Sequence, residues 1–364
     1  MMKAGGIRGQ VTWLYAFDIA HDMRRESLRT VLGQPVHRWA PGADHRVPRL
    51  SLFHQPQRVV LAPVRVRLPD GSWGGLSRTL KILPVGGLSV ALSAPFSVES
   101  LGALVDWHQA PEAMDRGGVR ELVARVVEDL AGHLIQPVRE LEEAEAYTVF
   151  RMDPPDSVEA LDWLQAHRRQ VAALLTQERV VDRLAEAEVR ETLARRLGYY
   201  REDLVVVDWD AALVVDRAGP AEEILHVLEL ANLQLCELEA YDRMLDAALE
   251  RSYADLGRKR FYNRALLARL GEVRIDLSRL SDELTHAGKF LGDWHLARVY
   301  EAAAARFHLA DWKRVVEDKL KTLDDLYQVL KHDQFNRWLL ALELVVVVIL
   351  VVDLVHLFYP LLRG

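Results

Sequence analysis

Three ionisable residues, Glu343, Asp353 and His356, stand inside an otherwise apolar run from Trp338 to Tyr359. Charged groups are costly among hydrocarbon, so such residues point to polar contact between helices in an oligomer, or to movement of protons or ions. At about 100° per residue, Glu343 and Asp353 fall on neighbouring faces of a helix. His356, three residues beyond Asp353, is within reach of it. A second constellation is Asp208-Trp209-Asp210. On a strand its two carboxylates share a face, as paired catalytic or metal-binding acids do; more often such a pair caps a turn. A third is the basic segment carrying Arg258, Lys259, Arg260 and Arg264 around Phe261 and Tyr262. It suits RNA or another anionic partner. It suits equally the wet connection between two helices, balanced by Glu237, Glu239, Asp242 and Asp246.

Other chemistry is not signalled. There is no His-Glu-x-x-His, and no pair of histidines on one helix face beside acids at ligand spacing. Signatures of a Ser or Cys nucleophile are missing. Gly71-Ser72-Trp73-Gly74-Gly75 lacks the strand–loop–helix setting of a phosphate loop and reads as a hairpin turn. No catalytic residue, cofactor or metal is therefore expected, and the chain reads as a non-enzyme. The formal net charge of -7 argues against a surface that binds nucleic acid as a whole, though not against a local patch. A single cysteine, Cys236, excludes an intrachain disulfide and fits a reducing compartment. Met1 to Gln10 has no long apolar core, so no secretory leader is expected.

The elements that must position these residues fall into two regimes. Val11–Ile19, Val59–Leu68, Thr79–Leu83, Leu88–Leu92 and Ala146–Met152 read as strands, the middle ones as an antiparallel meander. Leu204–Val207 and Ala212–Val215 read as strands around the Asp208 turn. Asp22–Leu32 has helical spacing, and amphipathic helices follow around Leu101–His108 and Leu122–Leu130. Asp156 with Glu159 resembles a helix N-cap and its box partner, with helix to about Arg196. Residues 1–217 are thus expected to form an α+β domain: an antiparallel sheet with helices on one face. Residues 218–336 are expected to form long helical hairpins or a coiled coil. One seam there runs through Leu228, Ala231, Leu235, Leu238, Leu245 and Leu249, and a second through Leu266, Leu270, Val273, Leu277, Leu280 and Leu284. Asp311–Tyr359 holds no Gly or Pro and reads as one continuous helix.

The last third of that helix is long enough to cross a bilayer. A hydrocarbon core about 30 Å thick needs roughly 20 apolar residues. Leu, Val, Ile and Phe in the run contribute about -5 to -10 kcal/mol in total, against about 2.5 to 3.5 for each ionisable residue at the centre. Residues 337–359 are accordingly expected to form a transmembrane helix, followed by a short tail, 360–364. Lys331, His332 and Arg337 before it would keep the bulk of the protein on the cytoplasmic side of a single-pass, tail-anchored membrane protein.

Several stretches resemble the required-for-meiotic-nuclear-division family, also known as domain of unknown function 155. They are Glu229-Leu230-Ala231-Asn232-Leu233-Gln234-Leu235 with Tyr241-Asp242, Gly292 to Tyr300 with Arg306-Phe307 and Trp312, and Leu342-Glu343 with Asp353. The resemblance covers about residues 200 to 357. It implies a membrane-anchored homo-oligomer without enzymatic activity, supporting translation by tethering the ribosome, as mitochondrial relatives do. The resulting expectation is a scaffold or tether whose partners are copies of itself, the lipid bilayer, and the ribosome or RNA. The alternative is an oligomeric pore conducting protons or ions through Glu343 and Asp353.

Overall fold

Alternation of apolar with small or polar residues builds a sheet that is covered on both faces. A computed structural model describes residues 6–24, 28–38, 57–83, 86–138, 141, 144–155, 158–258, 271, 273–275, 278 and 293–358. Its strands are β1 (Ile7–Asp18), β2 (Ala20–Met23), β3 (Thr30–Val31), β4 (Gln34–Arg38), β5 (Gln57–Arg67), β6 (Trp73–Ile82), β7 (Gly87–Val98), β8 (Leu134–Pro137), β9 (Glu145–Met152), β10 (Arg196–Leu197), β11 (Leu204–Val207) and β12 (Ala211–Val215). Ten of them form one sheet in the order β10-β11-β12-β9-β1-β7-β6-β5-β4-β3, while β2 and β8 pair separately. The helices are α1 (Arg116–Leu130), α2 (Ala160–Leu175), α3 (Glu186–Thr192), α4 (Ala218–Arg258), α5 (Trp294–Arg306) and α6 (Leu309–Phe358), with a 3-10 segment at Leu101–His108.

On one face, Val11, Trp13, Tyr15 and Phe17 of β1 join Leu88, Val90 and Leu92 of β7, Phe150 of β9 and Leu213 of β12. They share an apolar core with Leu104, Val123, Val126, Leu164 and Val171 from the helices. The opposite face presents the intervening residues. There Ala16 packs with Leu83 and with Leu233 and Cys236 of α4, and the ring of Tyr147 meets Phe307 edge to face at 5.0 Å. The backbone is shaped where it must be. At the β6–β7 turn Gly86 has φ +87°, and a Cβ there would collide with the carbonyl of Ala20. Pro63 lies at a bulge in β5, and the guanidinium of Arg78 donates to the Ala62 carbonyl left out of the ladder, at 2.8 and 3.2 Å.

Three expectations are corrected. The fold is mixed α/β, not α+β with helices on one face of an antiparallel sheet. β12 pairs with β9 in parallel, from Ala211↔Thr148 to Val215↔Met152. The connection between them carries α2 and α3, the crossover that parallel pairing requires. Asp22–Leu32 is not a helix. Its described ends pair as β2 and β3, because backbone partners in β8 and β4 outweigh the local spacing. α2 starts at Ala160 with no side-chain cap from Glu159, and Asp156 lies outside the described residues.

The expected transmembrane helix is also corrected. Among the described residues no helix is long and apolar enough to cross a membrane. α6 runs for 50 residues, but most of it is charged and amphipathic in sequence. The single-pass, tail-anchored membrane location deduced from the run is therefore withdrawn.

The chain divides into two units, Met1–Ala240 with Arg279–Trp312, and Tyr241–Ser278 with Lys313–Gly364. The first holds the sheet and its covering helices. The second is helical: Leu245, Ala248, Val273, Val316, Leu320 and Leu323 are buried in it. Lys319 spans Asp242 and Asp246 at 2.6 and 2.7 Å, and Arg274 pairs with Asp324. Burial disfavours the charged Lys319 ammonium, but the two carboxylates outweigh it and raise its pKa. In the second seam the described residue is Val273; Leu266, Leu270, Leu277, Leu280 and Leu284 lie outside the described residues.

Candidate functional site

The residues singled out from sequence do not assemble into one site. Glu343 is exposed on α6. The side chains of Asp353 and His356 lie outside the described residues, as do the side chain of Arg258 and all of Lys259, Arg260 and Arg264.

Asp208 and Asp210 lie in the β11–β12 turn, where the Asp208 N–H donates to the Ala211 carbonyl at 2.9 Å. The two carboxylates part company there. Asp208 is 4% exposed and accepts from the guanidinium of Arg306, with Nε at 2.7 Å. Arg306 also reaches Glu191 at 2.8 Å. The Tyr147 hydroxyl donates to the Asp208 carbonyl at 3.0 Å. Burial, and then the nearby Asp208 and Asp210, push the Tyr147 phenol pKa far up, so it remains a neutral donor. Burial disfavours the charged guanidinium, but Asp208 and Glu191 outweigh it and raise the pKa of Arg306. Asp210 is raised by burial and then by Asp208. This arrangement fastens the end of α5 to the sheet and commits the Asp208 carboxylate to Arg306.

A second polar cluster went unseen in the sequence. Lys81 of β6 and Ser89 of β7 are cross-strand neighbours on the face covered by α4. The Lys81 ammonium and the Ser89 hydroxyl both donate to the carboxylate of Glu229. His226, one turn earlier on α4, places Nδ1 3.1 Å from the Lys81 ammonium. Burial, and then Lys81, press the His226 pKa far down, so its ring is neutral and Nδ1 accepts. Lys81, Ser89 and Glu229 are 8%, 1% and 2% exposed. Further along α4, Asn232 donates to the Glu145 carbonyl at 3.1 Å, and Gln234 accepts from the Tyr300 hydroxyl at 2.6 Å. The run Glu229 to Leu235 is thus a set of clamps tying α4 to β6, β7, the start of β9 and α5. The available signal was polarity inside apolar patterns: a lysine in a strand and a glutamate beside the Leu228 seam.

The surface also carries a groove of about 410 Å³ between the β5–β6 turn and the 3-10 segment, with Arg67, Asp106, His108, Gln177 and Arg179 among its lining. Burial lowers the pKa of His108 to about 4. Its Nε2–H donates to the Leu174 carbonyl at 2.6 Å, and its ring packs edge to face on Phe150. Arg179 pairs with Asp106 at 2.6 Å. The groove therefore offers a neutral imidazole and a mutually satisfied ion pair. Among the described residues, no group of three His, Cys, Asp or Glu could hold a metal ion.

Comparison with known proteins corrects the family. Uncharacterized protein MJ0711 of Methanocaldococcus jannaschii is 22% identical over 226 residues, covering 58% of this chain and 65% of that protein. The match to a family model lies at residues 8–222, over the sheet and its connections. The resemblance to the required-for-meiotic-nuclear-division family had rested on the helical half. Its central run there serves in this chain to tie α4 to the sheet and α5, and the role in translation loses the support of the resemblance. The chain belongs to the family described as uncharacterized protein MJ0711, N-terminal domain.

Proposed function

We propose that this protein is a non-catalytic scaffold that associates with copies of itself through the end of α6. The observation that carries the reading is the exposure of Leu342 and of Leu344 to Val351, each between 49% and 68%. Nine neighbouring apolar side chains on one helix leave on the order of 800 Å² in water, the amount each partner buries in a standard protein interface. It also exceeds the largest apolar patch usual on a single chain. A second copy offers the same helix, and because these side chains point to all sides of it, one two-fold contact covers about half of them and further copies cover the rest. The non-catalytic part rests on the first unit, where the buried Lys81, Glu229 and Asp208 and the half-buried Arg306 are committed to holding helices on the sheet.

Size-exclusion chromatography with light scattering at micromolar concentration tests this. The wild-type chain is expected to run as two or more copies. Replacing Val345 and Val348 by Asp should return single chains with unchanged helical content by circular dichroism. A wild-type protein that remains a single chain, or an assembly indifferent to both substitutions, overturns the proposal.

A further inference from the structure

The loop between β10 and β11 carries two tyrosines turned to water, Tyr199 at 62% and Tyr200 at 72% exposure. They are held firmly. The carboxylate of Asp203, a residue only 7% exposed, accepts the backbone N–H of Tyr199 at 2.6 Å and that of Tyr200 at 2.9 Å. Their rings meet edge to face, centroids 4.7 Å apart and planes at 84°. The Tyr199 ring also lies 5.6 Å from His295 at the start of α5. Beside His295 stands Trp294, 76% exposed, and Arg298 is exposed one turn further along the same helix.

The charges around these rings are arranged unevenly. Asp203 is buried on the two tyrosine amides, Asp293 accepts the N–H groups of His295 and Leu296, and Asp216 accepts that of Arg217. These carboxylates turn to backbone amides. The side chains of Arg201 and Arg217 are 84% and 80% exposed, touching Glu159 at 3.3 Å and Glu202 at 3.8 Å. Such exposed pairs contribute little and exchange readily for another anion.

We propose that Tyr199, Tyr200 and Trp294, framed by Arg201, Arg217 and Arg298, form a binding surface for single-stranded nucleic acid. Fixed aromatic faces accept stacked bases of any sequence, and guanidinium groups at their margin meet the phosphates. A duplex keeps its base faces stacked inside and cannot use these rings. The surface uses no residue of the α6 end, so it stands or falls independently of self-association.

Fluorescence anisotropy of the full-length protein with a fluorescein-labelled oligouridine strand, and with a duplex of equal length, tests the proposal. The single strand should bind in preference to the duplex and weaken as salt rises. Tyr199→Ala with Tyr200→Ala should weaken binding at least about tenfold without lowering the melting temperature. Tyr199→Phe with Tyr200→Phe should retain binding, since stacking needs the ring and not the hydroxyl. Absence of oligouridine binding, an alanine variant that binds like the wild type, or a duplex held as tightly as the single strand overturns it.

Discussion

The two faces of the large sheet are covered by different chemistry. The face under α1, α2 and α3 is sealed by side chains such as Trp13, Leu92, Phe150 and Val123, with few polar groups among them. The face under α4 and α5 combines small and apolar side chains with polar clamps: Lys81 and Ser89 on Glu229, Glu145 on Asn232, and Asp208 on Arg306. Apolar contact is non-directional and tolerates sliding, whereas a buried charge stranded without its partner is costly. The first face therefore supplies cohesion. The second specifies where along its length each helix sits, because a shift of one turn would part Glu229 from Lys81 or Arg306 from Asp208.

This contrast is open to direct attack. The largest effect is expected on the clamped face. Glu229→Ala removes the carboxylate that accepts from the buried Lys81 ammonium and the Ser89 hydroxyl and should cost about 3–5 kcal/mol in urea unfolding. The combination Lys81→Met, Ser89→Ala and Glu229→Leu removes the whole group and should recover most of that loss. If the triple variant is as unstable as the single one, the clamp is not the source of the effect.

A smaller effect is expected from the polar exception on the apolar face. Burial holds the His108 pKa at about 4, below its ordinary value of 6.5. Between these values the unfolded chain binds the extra proton and the folded chain does not. The stability that His108 permits is thus complete above pH 6.5 and declines as pH falls towards 4, by up to about 3 kcal/mol. His108→Gln keeps a donor near the Leu174 carbonyl and cannot titrate. The difference between wild type and variant should grow in the variant's favour from pH 7 to pH 4.5, and a constant difference would refute the assignment. The smallest effect belongs to the exposed pair Arg179–Asp106. Arg179→Ala should change stability by less than about 1 kcal/mol at any pH between 6 and 8, measured in the same unfolding experiment.

Much of the fold was legible because it is written locally. The alternation in Val11–Phe17, the Pro69-Asp70-Gly71 turn and the heptad-like spacing of α4 each specify an element within a few residues. The absence of Gly and Pro between Asp311 and Tyr359 predicts the long helix that is observed from Leu309 to Phe358. Asp22–Leu32 misled because a short apolar spacing fits two structures, and distant backbone partners chose between them. The apolar run at the end of α6 misled for a different reason. Its composition suggests a bilayer span, whereas among the described residues no helix is long and apolar enough to cross a membrane.

The amino-acid order alone indicated the strands β1, β5, β6, β7, β9, β11 and β12, the helices α1, α2 and α4, and the exclusion of a disulfide, because propensity and periodicity act over neighbouring residues. Tertiary structure alone decided which polar residues became partners. Lys81 and Glu229 are 148 positions apart, and Arg306 and Asp208 are 98 apart. It also decided that β12 joins β9 in parallel, and that Tyr199 and Tyr200 remain in water while Tyr147 is buried. Such outcomes depend on which surfaces the folded chain brings together and on how far each group is removed from water. Neither quantity is a property of any short segment.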